Sequence, residues 1–194
     1  MPRVVDVEER RQELTDAAAR LIARAGIGAA TMREVAAEAG LTTGALTHYF
    51  ADKRELLQCT LTASLQRRID RRHATGGDAR ARLRASLVGA LPLDEESRRH
   101  WMVTVAFCAE AAGDQALAQT QRDAYREFRT HIARLVGECA PAGDPGRLAE
   151  RLIAAVDGVA LQALFDPESW PPVRQLDALD EALDLLSSAA ATER

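Results

Sequence analysis

The stretch TMREVAAEAGLTTGALTHYF, residues 31–50, constrains this chain more than any other. It encodes two helices, each too short to stand alone, joined by three residues. Thr31 followed by Glu34 has capping-box spacing for the first helix, and Val35, Ala36 and Ala39 give it an apolar face before Gly40. Thr42 and Thr43 open the second. Helices below about 12 residues are marginal in water. The pair therefore needs neighbouring helices to hold it at a fixed angle.

Those neighbours are legible. Leu14, Ala17, Ala18, Leu21, Ile22 and Ala25 repeat at helical spacing, with Asp6 as a cap and Gly26 as a stop. Asp52 caps a long helix from Lys53, with Leu56, Leu57, Leu61, Leu65 and Ile69 inward and Gly76-Gly77 as its break. A tight helix pair packed on a third helix is the arrangement that puts its second helix into a DNA major groove.

Asp78, Asp94, Asp114 and Asp144-Pro145 open further helices, and Ala140–Gly143 reads as a loop. The penultimate helix carries Leu148, Leu152, Ile153, Val156, Ala160 and Leu164. The last carries Leu176, Leu179, Leu183 and Leu186. The chain thus reads as all-α, with about nine helices. Residues 1–52 form a helix-turn-helix domain, residues 53–194 a regulatory and dimerisation domain, and helix 53–75 connects the two.

Small residues at Ala154, Ala155, Gly158, Ala160 and Ala163 permit close helix approach. Together with the leucine stripe of the last helix they predict a homodimer through the last two helices, burying roughly 2,000 Å² or more.

Net charge is −4, but it is uneven. Residues 1–84 hold 15 basic and 11 acidic side chains, net +4, leaving net −8 for the rest. The basic part coincides with the helix pair. No run of 18 apolar residues occurs, and MPRVVDVEERRQ lacks the apolar core of a secretory signal, which predicts a cytoplasmic protein with no membrane span. Cys59, Cys108 and Cys139 read as buried thiols.

MREVAAEAGLTTGALTHYFADKRELL resembles the DNA-binding segment of the TetR family of bacterial repressors, with Gly44, Tyr49-Phe50 and Lys53 in register. HWMVTVAFCAEA and VDGVALQALFDP resemble the regulatory half of its BetI-like branch. The resemblance implies a ligand-responsive transcriptional repressor released from a near-palindromic operator by a small-molecule effector. The alternative is a constitutive DNA-binding protein whose second half only dimerises.

Residue chemistry identifies a DNA face. Thr31, Thr42 and Thr43 offer hydroxyls at helix starts, where free N–H groups suit a phosphate. Gly44 permits close backbone approach, and Ala45 offers a methyl for thymine. Arg33, Thr47 and His48 can reach base edges or phosphates, while Tyr49 and Lys53 suit the DNA backbone. Leu46 and Phe50 point into the core. Arg67, Arg68, Arg71 and Arg72 read as a solvated or ion-paired face.

Enzyme signatures are lacking: there is no GxSxG, HExxH or phosphate-cradling Gly loop, and His73, His100 and His131 sit singly. No catalytic residue, metal or cofactor is expected. Glu110 and Asp157 interrupt apolar helical stretches, where a carboxylate needs a partner. One reading pairs them with Arg98, Arg122, Arg126 or Arg129. The other adds Trp101, Phe107, Tyr125, Phe128, His131 and Gln162 as a pocket for a cationic effector.

Overall fold

A computed structural model describes residues 7–72, 76–139 and 143–192, without the side chains of 68–72 and 185–192. The expected Asp6 cap, His73, the loop residues Ala140–Ala142 and the side chains of Ile69, Arg68, Arg71, Arg72 and Leu186 lie outside the described residues.

Among the described residues there are nine α-helices and no strand: α1 (Val7–Ala25), α2 (Met32–Glu38), α3 (Thr43–Leu46), α4 (Lys53–Arg72), α5 (Ala79–Val88), α6 (Glu95–Ala111), α7 (Gln115–Cys139), α8 (Pro145–Phe165) and α9 (Pro172–Thr192). Local chemistry sets their ends. Asp52 Oδ1 accepts from Glu55 N at 2.9 Å, Asp78 Oδ1 from Ala81 N at 2.8 Å and Asp94 Oδ1 from Ser97 N at 2.7 Å. Asp114 and Asp144 cap α7 and α8 in the same way. Gly26 and Gly40 take φ of 78° and 71°, the left-handed geometry that stops α1 and α2. At Gly40 the bonds Leu41 N to Ala36 O (2.8 Å) and Gly40 N to Ala37 O (3.0 Å) make a Schellman motif.

The chain forms two compact units, Met1–Gln66 with Met102–Thr120, and Arg67–Trp101 with Gln121–Arg194. In the first, α1 packs on α2 and α2 on α3. Leu14, Ile22, Val35, Leu46, Phe50 and Leu56 are fully buried there, as the apolar stripes require. In the second, α8 packs on α9 and α5 on α9. Its core includes Leu87, Leu91, Phe128, Ile132, Leu135, Leu152, Val156 and Leu179.

The thiols depart from expectation. Cys108 is exposed, and Cys59 and Cys139 are half-buried. Cys108 stands in the uncovered stretch 108–110 at the end of α6, and Cys59 is met by the Arg11 guanidinium at 3.2 Å. Burial still pushes the Cys139 thiol above its ordinary value, with the Glu138 charge adding to that.

Candidate nucleic-acid interface

The two short helices are held from outside, as their length demands. Glu38 at the end of α2 accepts from Arg20 Nε at 3.2 Å and Arg24 Nη2 at 3.1 Å, both on α1. These bonds, Arg24 first, depress the Glu38 carboxyl below its ordinary range. Arg11 on α1 donates to the Tyr49 carbonyl and to Glu55 Oε1, the latter at 3.3 Å. Glu55 Oε2 accepts from Ala51 N at 2.7 Å, which together with Arg11 lowers the Glu55 pKa. Within the same unit, Arg54 on α4 pairs with Asp114 at 3.1 Å.

Thr31 and Thr42 are the caps of α2 and α3: their hydroxyls accept from Glu34 N and Ala45 N, each at 3.2 Å. The expected capping box at Thr31 is only half made. Thr31 N donates instead to Ala29 O at 2.8 Å, and the Glu34 carboxylate pairs with Arg33 at 2.9 Å. The 3-10 turn Ile27–Ala29 supplies that carbonyl, so the Glu34 side chain is not needed there.

All ten residues of the expected DNA face belong to the first unit. Thr31, Arg33, Thr42, Thr43, Gly44, Thr47 and His48 are exposed, while Ala45, Tyr49 and Lys53 are half-buried. Thr47 Oγ1 donates back to Gly44 O at 2.8 Å, which leaves its oxygen as an outward acceptor. Lys53 is the single lysine of the chain, standing first in α4. Gly44 has no internal reason to be glycine. Its φ is not positive, and a Cβ there would meet only Thr42 Oγ1, at 4.0 Å. Glycine inside a helix costs up to about 1 kcal/mol relative to alanine, a cost that no contact within the chain accounts for.

The second set of expected residues is divided. Trp101, Tyr125, Phe128, His131, Asp157 and Gln162 lie in the second unit, Phe107 and Glu110 in the first. Trp101 Nε1 donates to Ala90 O at 2.7 Å, and Phe128 belongs to the second unit's core. Phe107 is fully buried. His131 Nε2 meets Ser86 Oγ at 3.0 Å. Asp157 is half-buried, and the Tyr125 hydroxyl donates to its Oδ2 at 2.9 Å.

Two of these expectations need correction. Glu110 is exposed: it lies one turn beyond Phe107 on the same side of α6 as Val103 and Phe107, but residues 108–110 at this end of the helix are left uncovered. Gln162 is exposed on α8, its amide near Gly158 O at 3.5 Å. Of the arginines, Arg98 serves backbone rather than carboxylate: it donates to Ala163 O at 2.8 Å and Leu164 O at 2.7 Å, the unfilled acceptors at the end of α8. Arg126 pairs with Asp123 and Arg129 with Glu150. No group of metal-ligating side chains exists among the described residues, and none of their helices is long and apolar enough to cross a membrane.

Comparisons with known proteins agree with this arrangement. Residues 14–59 match the family "Bacterial regulatory proteins, tetR family", and residues 79–188 match "BetI-type transcriptional repressor, C-terminal". The HTH-type transcriptional regulator BetI of Paraburkholderia phytofirmans is 28% identical over 96% of this chain and 97% of its own. A transcriptional regulator from Rhodococcus sp. Rha1 superposes with a TM-score of 0.85 at 30% identity, covering 92% of this chain and 96% of that one. A regulator from Saccharomonospora viridis, crystallised in complex with choline, gives 0.83 at 26% identity, covering 91% and 96%. With matches that together span both the helix pair and most of the second half, the chain belongs to the TetR family, carries a BetI-type C-terminal half, and is a DNA-binding transcriptional regulator.

Proposed function

We propose that this regulator acts as a homodimeric repressor whose Thr31–Lys53 face holds a near-palindromic operator until a small organic cation binds the second half. The observation that carries the DNA face is Gly44. It is a helical glycine that the fold does not require, flanked by exposed Thr42, Thr43, Thr47 and His48. A phosphate or base edge needs that close approach.

Dimerisation is supported by the outer face of α8. Ala154, Gly158, Leu161 and Phe165 recur there at spacings of four, three and four, with Leu161 41% and Phe165 76% exposed. Val173 on α9 is 64% exposed. A Cβ on Gly158 would meet nothing within 4 Å, so this glycine too is left open for an approaching helix. An apolar row of this kind marks an interface.

The class of effector rests on Asp157, a half-buried carboxylate oriented by a phenol, and on the choline held by the Saccharomonospora viridis relative. A carboxylate and aromatic faces suit a quaternary ammonium. Footprinting the operator, then titrating choline and other quaternary ammonium ions into the protein–DNA complex, tests the reading. Release at a saturable concentration supports it. Operator binding indifferent to every such cation would favour the constitutive alternative.

A further inference from the structure

We infer that Arg11 is the positioning residue of the DNA face, holding the recognition segment in its binding geometry from α1. The inference rests on the DNA face assigned above. α3 has four residues, and its continuation is only a short run of turn bonds: His48 N reaches Ala45 O at 3.3 Å, Tyr49 N reaches Leu46 O at 2.9 Å and Phe50 N reaches the same Leu46 O at 3.2 Å. So short a helix frays unless its end is tied.

Arg11 ties it. One guanidinium donates to the Tyr49 carbonyl, lies 4.5 Å from the Phe50 ring centroid, and reaches Glu55 Oε1 at 3.3 Å and Cys59 Sγ at 3.2 Å. Glu55 in turn accepts from Ala51 N, and its own N–H is capped by Asp52. Every link between His48 and Lys53 is thereby fixed to α1. The two expected DNA contacts at the ends of that stretch acquire a set spacing. Only a planar fork with several donors and a stacking face serves carbonyl, carboxylate, thiol and ring together, so lysine cannot replace it. The residue acts by pre-organisation, sparing the complex the cost of ordering this segment.

The test compares operator affinity over a range of salt for the full-length parent, Arg11→Lys, Arg11→Met, Arg10→Gln, Thr43→Ala and Lys53→Ala, with hydrogen exchange of amides 47–51. Arg10 is the charge-matched control, since it pairs along α1 with Glu13. Positioning predicts about tenfold or greater loss for both Arg11 variants, with faster exchange at 47–51. It also predicts a log affinity versus log salt slope equal to the parent's, and near-parental binding for Arg10→Gln. A slope reduced by about 0.9, the signature of one phosphate left unneutralised, would make Arg11 a phosphate ligand and overturn the inference. Parental affinity in Arg11→Lys, or unchanged exchange at 47–51, would overturn it too. If Thr43→Ala and Lys53→Ala weaken binding while the Arg11 variants do not, Arg11 alone is misassigned. If none weakens it, the DNA face is wrong and the inference falls with it.

Discussion

Tyr125 donates its phenolic hydrogen to Asp157 Oδ2 over 2.9 Å, joining α7 to α8 inside the second unit. Tyr125 packs against the core one turn before Phe128, Asp157 follows core Val156 directly, and the bond orients the Asp157 carboxylate. A preset carboxylate costs a cationic ligand less ordering on binding.

Asp157→Asn keeps the shape and an acceptor for Tyr125 but removes the charge. We expect effector affinity to fall about tenfold to a hundredfold, matching the roughly 1.5–3 kcal/mol that a charge-assisted hydrogen bond contributes. Operator affinity without effector should stay at the parental value. The measurement is the release midpoint in a cation titration, taken beside the melting temperature. A lowered melting temperature with an unmoved midpoint would leave Asp157 a structural link between α7 and α8.

Gly44→Ala separates folding from function. Nothing in the chain obstructs the added methyl, so the variant should be as stable as the parent or more stable by up to about 1 kcal/mol. Operator binding should nevertheless weaken by about tenfold or more, the equivalent of about 1.4 kcal/mol. Denaturant titration and gel-shift assays on the same preparation decide it. Parental DNA binding would remove Gly44 from the interface.

Thr43→Ala and Lys53→Ala should weaken binding to operator and non-specific DNA alike. For Lys53→Ala the salt dependence should also flatten, by about 0.9 in slope for the phosphate that the ammonium no longer neutralises. His48→Ala should instead change the ranking of operator variants. Since Lys53 is the only lysine, amine-reactive labelling offers a second readout. Operator should protect that single side-chain amine, and an unprotected Lys53 in the saturated complex would contradict the assignment.

Phe165→Glu places a charge in the apolar row of α8 without disturbing a buried side chain, because Phe165 is 76% exposed in the single chain. We expect the dimer to weaken by about tenfold or more, with loss of cooperative binding to the two half-sites. Sedimentation at micromolar concentration gives the answer. A dimer as tight as the parent's would place the interface elsewhere.

Acid should loosen the DNA-binding unit in part through Glu38 and Glu55. Both carboxyls are depressed from an ordinary value of 4.5, Glu38 by Arg24 and Arg20, Glu55 by the Ala51 N–H and Arg11. A depressed carboxyl contributes stability above its unfolded value and loses it as pH falls through the folded one. The melting temperature should therefore hold from about pH 7 to about 5 and decline below about 4.5. Glu38→Gln should melt lower at neutral pH yet decline less steeply in acid. Parallel curves for parent and variant would show that Glu38 carries none of this dependence.

The sequence alone marked where most of the described helices begin and where α1 and α2 stop, though α5 ends at Val88, short of Pro92. Its signals are local: Thr31, Thr42, Asp52, Asp78, Asp94, Asp114 and Asp144 cap within three residues, and Gly26 and Gly40 stop a helix at their own backbone angle. The fold class and the outward face of α3 follow from the same short spacings, since helical periodicity fixes which side chains share a side. Tertiary structure decided what lies opposite those side chains. Arg11 finds Tyr49, Arg24 finds Glu38, and Arg98 finds the end of α8 across 38, 14 and 65 residues of chain. No local pattern announces such partners. The exposure of Glu110, Gln162 and Cys108 was decided in the same way. An apolar run shows that a helix has a buried side, but burial belongs to a face, and the face is chosen by the neighbours that the folded chain brings against it.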